Sequence, residues 1–146
     1  MIRVKFVRLT DTAKIPTKGS KFAAGFDLYV DTEKDVRIEP GETYKFTTGI
    51  AMEIPDCYVG LIYSRSGLSS KHGLRLANCV GVIDPDYRGD ISIPLYNDSD
   101  ETQLVTAHER VAQILIQPIS DTILYEVKEL TVSERGSGGF GSTGRR

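Results

Sequence analysis

The chain has 146 residues, of which 40% are apolar and 26% are charged, so its composition is typical of a folded globular domain and excludes wholesale disorder. A formal net charge of −2 argues against a general nucleic-acid-binding protein, because such proteins bind phosphates through an excess of basic side chains. With two cysteines and two histidines, neither a disulfide framework nor a Cys/His zinc site is expected. We therefore expect one soluble, cytoplasmic domain.

Alternation of apolar and polar residues predicts β-strands along most of the chain. In chain order, the predicted strands cover residues 2–6, 36–38, 44–46, 49–54, 58–63, 74–83, 91–95, 110–117 and 124–130. Pro40-Gly41 predicts a tight turn, and Pro94 within an alternating run predicts an edge strand or a bulge. Turn signals recur about every 8–12 residues, which is typical of an all-β sandwich or barrel.

One short helix is predicted between Ser66 and Gly73. Ser66 is a favourable N-cap residue, and Gly73 suits the left-handed position that ends a helix. Lys71 and His72 lie near the negative end of the helix dipole. A helix this short depends on packing against the sheets for its stability.

The last residues differ in composition from the rest of the chain. Residues 135–146 hold five of the 14 glycines, three arginines and one aromatic residue, Phe140. We divide the chain into a β domain of residues 1–134 and a Gly-rich tail of residues 135–146. The tail is either simply flexible, or it orders over an anionic ligand, with the ring stacking and the guanidinium groups binding phosphate.

Several short motifs are present only in part. Residues 136–141 match G-x-G-x-x-G but open no helix, so a dinucleotide-binding fold is rejected. Residues 84–89 begin like a calcium loop, but Arg88 and Leu95 replace oxygen ligands. Ser64 and Ser66 lack the G-x-S-x-G elbow of a serine hydrolase.

Three segments are harder to explain by structure alone. Asp27 lies within the apolar run of residues 24–28, where an unpaired carboxylate is costly. Arg65 and Ser66 lie at a helix start, where free backbone N–H groups favour an anion. Asp84 directly follows a strand and precedes a proline turn. A buried polar network, a helix cap and a hairpin turn remain the structural alternatives.

Taken in order, residues 24–28, 65–68, 81–89, 109–113 and 135–141 resemble the five motifs of the homotrimeric deoxyuridine triphosphate nucleotidohydrolase (dUTPase) family. The resemblance implies an all-β, jelly-roll-like fold (a β-clip barrel) and a homotrimer with three active sites at subunit interfaces. Each site would take the third motif from one chain, the first, second and fourth from a neighbour, and the tail from the last chain.

The resemblance also implies a reaction, the hydrolysis of dUTP to dUMP and pyrophosphate by attack of water on the α-phosphorus. This activity would limit uracil in DNA and supply dUMP for dTTP synthesis. Asp84 would be the general base, and Asp27 would support catalysis by holding water and the metal shell. Mg²⁺ would be bound mainly by the substrate phosphates and water, as its strong hydration favours.

The family assigns the substrate contacts to two sets of residues. The phosphates would be bound by Arg65, Ser66, Gly67, Gln113, Arg135, Ser142 and Thr143. Uracil and deoxyribose would contact Asn78, Gly81, Val82, Ile83, Asp84, Tyr87, Phe140 and Gly141. Backbone groups of the 78–87 hairpin would reject cytosine by ~10⁴-fold or more, and the Tyr87 ring would leave no room for a ribose 2′-hydroxyl.

One departure from the family and two alternative functions bear on this interpretation. Ser64 occupies the place of the family's usual proline, which predicts a looser local backbone. A dCTP deaminase shares the fold, but its catalytic Arg and Glu positions hold Ser70 and Pro94 here, so deamination is disfavoured. A non-catalytic binding or regulatory protein on the same scaffold is the other alternative.

Overall fold

The computed structural model describes residues 2–139, and within that range the chain forms eleven strands and one helix. In chain order these are β1 (Lys5–Arg8), β2 (Phe26–Tyr29), β3 (Val36–Ile38), β4 (Thr43–Thr47), β5 (Ile50–Glu53), β6 (Tyr58–Ser64), α1 (Ser66–His72), β7 (Leu74–Leu76), β8 (Gly81–Ile83), β9 (Ser92–Asn97), β10 (Gln103–Val105) and β11 (Arg110–Pro118). Within residues 2–139, the one helix falls well short of the length and apolar character that crossing a membrane requires.

Two antiparallel sheets enclose the core. One has four strands in the order β2-β11-β6-β8 and the other has three in the order β4-β9-β7, while β1-β5 and β3-β10 form two further, two-stranded sheets. Side chains from both sheets, such as Ile62 and Ile114 from the first and Ile93 and Leu95 from the second, are fully buried in one cluster. Burial of these alternating aliphatic residues is the main stabilising contribution. The predicted all-β, jelly-roll architecture is confirmed.

The predicted strand over residues 74–83 is wrong as one element. It divides into β7 and β8, which belong to different sheets. Between them Cys79 adopts the left-handed region with φ 62°, and its N–H donates to the Leu76 carbonyl in a turn. This break carries the chain from the three-stranded sheet to the edge of the four-stranded one.

The predicted strand over residues 124–130 is also wrong. Within the described part of the chain, no strand follows β11. Tyr125 is 82% exposed and Leu130 is 87% exposed, because no sheet edge of the same chain lies beside them. Alternation alone therefore does not make a strand without a partner to pair with.

The prediction that Pro94 marks an edge strand or a bulge is wrong, because β9 is the central strand of its sheet. Pro94 pairs with Lys45 on one side, and its carbonyl accepts a hydrogen bond from Ala77 N–H on the other. Because a strand residue directs its N and O to the same side, the missing N–H of Pro94 faces a position just past the last residue of β7. No ladder hydrogen bond is lost there.

The helix lies where it was predicted, but its cap differs. Arg65, with φ −79° and ψ 128°, occupies the N-cap position, and Ser66 is the first helical residue. Within residues 2–139, no side chain caps this helix start. Gly73 adopts the predicted left-handed conformation with φ 64°, and its N–H donates to the Leu68 carbonyl. A Cβ at this glycine would lie 2.8 Å from the Ser99 side chain, so glycine is required there.

Candidate active site

The first, second and fourth sequence segments meet around one cavity of about 530 Å³. It lies between β2, β11 and the start of α1. Its lining includes five residues that the sequence predicted, Asp27, Arg65, Ser66, Gly67 and Gln113. Three further polar residues, Lys71, His72 and Arg110, line the same cavity. The structure therefore brings together most of the residues predicted to bind phosphate.

Asp27 lies between two guanidinium groups. Its Oδ1 is 3.2 Å from Arg65 Nε, and its Oδ2 accepts a hydrogen bond from Arg110 Nη1 at 3.1 Å. The carboxylate side chain is only 13% exposed, so these pairs explain how an acid is tolerated within an apolar segment. Two guanidinium charges against one carboxylate leave the cluster net positive, which favours an anionic ligand.

Arg65 is fixed by a second contact. Its Nη1 donates to the Arg110 carbonyl at 2.9 Å, so the residue that precedes α1 is tied to both β2 and β11. This cross-bridging limits the side-chain conformations of Arg65. A cation held in place in this way loses less conformational entropy when it binds a phosphate.

Gln113 projects into the cavity from the centre of the four-stranded sheet. It pairs with Asp27 of β2 on one side and with Tyr63 of β6 on the other, and its Nε2 donates to the Ser64 carbonyl at 3.2 Å. A Cβ at Gly25 would lie 3.1 Å from the Ile114 carbonyl and 3.4 Å from Gln113 Oε1. Glycine at this position therefore allows β2 to approach β11 without displacing the Gln113 amide.

Ser64, at the end of β6, accepts a hydrogen bond on Oγ from Leu76 N–H at 2.9 Å. Its carbonyl accepts from Gln113 at the same time. A hydroxyl thus joins β6 to β7 at the position where the family usually has proline. In place of the looser backbone that the sequence predicted, the structure has a residue bonded on both sides.

The predicted base-binding hairpin lies at the edge of the same sheet. Gly81 and Ile83 of β8 face inward, whereas Asn78 and Val82 are exposed. Asp84 is the exposed residue directly after β8, and its carbonyl accepts a hydrogen bond from Tyr87 N–H at 3.2 Å. In the described part of this chain, no residue of 78–90 lines the 530 Å³ cavity. The two halves of the predicted site are therefore separate within one chain.

The start of the tail lies outside the cavity as well. Arg135 Nε donates to the Gly138 carbonyl at 2.8 Å within a local turn. Arg135 is not part of the cavity lining that residues 2–139 provide. Phe140, Gly141, Ser142 and Thr143, also predicted as substrate contacts, lie outside the described residues.

Sequence reasoning missed Arg110, Lys71 and His72 as cavity residues. A signal for Arg110 was present, because a carboxylate within an apolar run, as Asp27 is, needs a compensating cation and Arg110 lies inside the fourth matched segment. Lys71 and His72 lie in the last turn of α1, where the helix dipole already favours basic residues. The sequence therefore gave no separate reason to place them at the cavity.

Comparison with known proteins identifies the family. The family model described as dUTPase matches residues 11–144. The chain belongs to the dUTPase family. The deoxyuridine 5'-triphosphate nucleotidohydrolase of Nautilia profundicola is 45% identical over 99% of this chain and 100% of that protein. The enzyme of the same name from Clostridioides difficile is 44% identical over 99% of both chains.

Solved dUTPase structures share the fold. The dUTPase of Staphylococcus bacteriophage 80alpha with dUPNHPP superimposes with a TM-score of 0.85 at 33% identity, covering 99% of each chain. A dUTPase variant from Staphylococcus aureus phage phi11, described with a structural Mg(II) ion, has a TM-score of 0.77 at 28% identity over 88% of this chain and 98% of that one. The dUTPase resemblance of the five sequence segments is thus confirmed.

Proposed function

We propose that the chain hydrolyses dUTP to dUMP and pyrophosphate, with water attacking the α-phosphorus. The observation that carries this proposal is the cavity in which Arg65, Ser66, Gly67 and Gln113 converge beside the Asp27 carboxylate. Hydrolysis of a triphosphate mainly requires positioning and charge neutralisation, and this cavity supplies cations and neutral donors together. Such an activity limits uracil in DNA and yields dUMP for dTTP synthesis.

The phosphate chain binds at the start of α1. Gly67 has open space where a Cβ would lie, so a phosphate can approach its backbone. Ser66 is exposed and offers its hydroxyl and its backbone N–H. Arg65 contributes charge from its fixed position, and Gln113 contributes an uncharged amide donor. The mixture of charged and neutral donors suits successive phosphates of one nucleotide.

Asp84 is the general base. It is exposed at the end of β8, where a water can reach its carboxylate, and the following proline turn limits its movement. The backbone of Gly81, Val82 and Ile83, together with Asn78, contacts uracil. The Tyr87 ring lies beneath the deoxyribose and excludes a ribose 2′-hydroxyl.

Mg²⁺ would be held in this site mainly by the phosphates of the substrate and by water. Both oxygens of Asp27 are already paired with guanidinium groups, and residues 2–139 contain no cluster of three or more His, Cys, Asp or Glu side chains able to hold a metal. This donor set fits an ion bound by phosphate oxygens and water, with Asp27 contacting the water shell. When bound, the ion neutralises charge on the triphosphate.

The active enzyme is a homotrimer with shared sites. Two observations support this assembly. The hairpin that carries Asp84 does not line the phosphate cavity of its own chain, in the range that the structure describes. The segment after β11 exposes Leu124 and Tyr125, and an apolar groove of about 500 Å³ has Phe6 and Ile116 among its lining residues. Exposed apolar surface of this extent is normally covered by a partner.

The tail of residues 135–146 closes over a neighbouring site. Its five glycines permit the backbone to fold tightly around a nucleotide. Arg135, Ser142 and Thr143 bind phosphates, while Phe140 and Gly141 cover the uracil. The domain of residues 1–134 and this tail thus act as scaffold and lid. We place the reaction in the cytoplasm, whose reducing conditions suit the unpaired Cys57 and Cys79.

A substrate comparison tests the proposal. Pyrophosphate release is measured with dUTP, dCTP, dTTP and UTP in the presence of Mg²⁺, and only dUTP should turn over efficiently. In ¹⁸O-labelled water the label should enter dUMP and not pyrophosphate, because attack occurs at the α-phosphorus. Ammonia release from dCTP would instead establish the deaminase alternative, and dUTP binding without turnover would establish a non-catalytic protein.

A further inference from the structure

The Tyr87 side chain is anchored to its own loop at two points. Its hydroxyl donates to the Asp90 carbonyl at 2.9 Å. The ring also lies against Gly89, where a Cβ would collide with the hydroxyl and lie 2.6 Å from Tyr87 Cζ. Tyr87 is 42% exposed, so contact with the rest of the domain does not by itself hold the ring in place.

The side chain of Asp90 fixes this anchor to the core. Its Oδ1 accepts hydrogen bonds from Thr48 N–H at 3.1 Å, from the Thr48 hydroxyl at 3.3 Å and from Gly49 N–H at 3.1 Å. Thr48 is buried, and the neighbouring Ile91 N–H donates to the Ile50 carbonyl at 2.9 Å. Asp90 therefore holds the end of the hairpin loop against the turn between β4 and β5.

That turn has little freedom of its own. Gly49 has a φ of 64°, and a Cβ there would lie 2.6 Å from Asp31 Oδ2 and 2.7 Å from the Ala13 side chain. Such close packing leaves no room for the turn to shift. A rigid turn, the Asp90 carboxylate and the Tyr87 hydroxyl form a continuous series of contacts from the core to the exposed ring.

We propose that Asp90 is a positioning residue for discrimination between deoxyribose and ribose. Asp90 fixes the distance between the Tyr87 ring and the sugar of the bound nucleotide. That distance determines whether a ribose 2′-hydroxyl fits above the ring. This inference rests on the proposed function, in which Tyr87 lies beneath the sugar. A ring that is free to move away admits the extra hydroxyl, so loss of the anchor lowers the preference for dUTP over UTP.

Steady-state kinetics with dUTP and UTP test the proposal. In Asp90→Ala the ratio of kcat/KM for dUTP to that for UTP should fall about fivefold or more, because UTP gains relative to dUTP. Asp90→Asn retains an acceptor oxygen and should restore most of the ratio. A purely structural role would lower turnover of both nucleotides together and leave their ratio unchanged.

Asp35→Ala is the matched control for lost stability. Asp35 Oδ1 accepts a hydrogen bond from Ala107 N–H at 3.0 Å, which joins the residue before β3 to the loop after β10 and takes no part in the Gly49 turn. Its loss should lower the melting temperature and leave the dUTP/UTP ratio unchanged. If Asp90→Ala does not fold, Tyr87→Phe takes its place in the test, because it keeps the ring and removes only the hydroxyl bonded to Asp90. The ratio of kcat/KM for dUTP to that for UTP should then fall in Tyr87→Phe as well.

The outcomes separate this inference from the proposed function. A folded Asp90→Ala variant with an unchanged ratio overturns the inference while dUTP hydrolysis by the unaltered protein stands. An unchanged ratio in Tyr87→Phe overturns it in the same way when Asp90→Ala is unfolded. An unaltered protein that does not hydrolyse dUTP overturns the proposed function, and the inference with it.

Discussion

Arg65 Nε lies 3.2 Å from Asp27 Oδ1, which ties the start of α1 to β2 beside the candidate phosphate site. Asp27 is held from its other side by Arg110 Nη1 at 3.1 Å. The acid of the first sequence segment therefore positions the cation of the second. This relationship assigns Asp27 a role in organising the cavity that does not require it to touch a metal ion directly.

Replacing Asp27 by Asn should weaken substrate binding. Without the carboxylate, the guanidinium groups of Arg65 and Arg110 repel each other, and Arg65 loses its fixed position. We expect kcat/KM for dUTP to fall about tenfold or more, mainly through a higher KM. Asp98→Asn is the control, because Asp98 pairs with Arg75 at 3.2 Å outside the cavity. A KM equal to that of the unaltered protein would contradict this role.

Replacing Asp84 by Asn should separate binding from chemistry. The amide keeps the size of the side chain but cannot accept a proton from water, so kcat should fall by about 10²–10⁴-fold. Calorimetry with a non-hydrolysable dUTP analogue should give a nearly unchanged Kd. Asp86→Asn, two residues along the same exposed loop, should retain activity. An Asp84→Asn variant with normal kcat would remove the residue from its role as base.

Replacing Ser64 by Ala should destabilise the domain. The Leu76 N–H donates to Ser64 Oγ at 2.9 Å in a half-buried position, and the variant would leave it without this partner. The free energy of unfolding should fall by about 1–3 kcal/mol, measured by urea denaturation. Ser70→Ala provides the control, since Ser70 is exposed on α1. Equal unfolding midpoints for the two variants would refute the contribution of this hydroxyl.

Replacing His108 by Gly should stabilise the domain. His108 has a φ of 58°, and its Nδ1 is buried without a hydrogen-bond partner among the described residues. Glycine removes both the strain of a side chain at positive φ and the unpaired ring nitrogen. We expect the free energy of unfolding, measured by thermal denaturation, to rise by about 0.5–1 kcal/mol. His108→Ala removes the ring but keeps a Cβ at positive φ, so it should gain less. A Gly variant that melts below the unaltered protein would contradict this account.

The sequence pattern correctly predicted elements that depend mainly on neighbouring residues along the chain. The strand over residues 36–38 is found with the same bounds, because its alternation matches one buried face. The break at Cys79 and the central place of Pro94 were missed, because they depend on which strands lie alongside. The unpaired segment around Tyr125 was mistaken for a strand because alternation does not identify a partner.

The sequence predicted which residues belong to the candidate site better than it predicted the contacts between them. Asp27, Arg65 and Gln113 could be named because acids, cations and amides in matched segments carry recognisable chemistry. The sequence indicated that Asp27 needs a cation, but the choice of Arg110 depends on the pairing of β2 with β11, which joins residues far apart along the chain. That Asp84 and the phosphate cavity of one site belong to different chains was an expectation from the family resemblance, and the residue pattern alone did not indicate it.

A mixing experiment tests the shared site most directly. Asp84→Asn chains and chains lacking residues 135–146 should each be folded and nearly inactive alone, because one lacks the base and the other lacks the lid. After subunit exchange, mixed assemblies should contain sites in which an intact Asp84 and an intact tail come from different chains, so dUTP hydrolysis should partly recover. Exchange demonstrated by co-purification of tagged and untagged chains, with no recovery of pyrophosphate release, would contradict a site built from several chains.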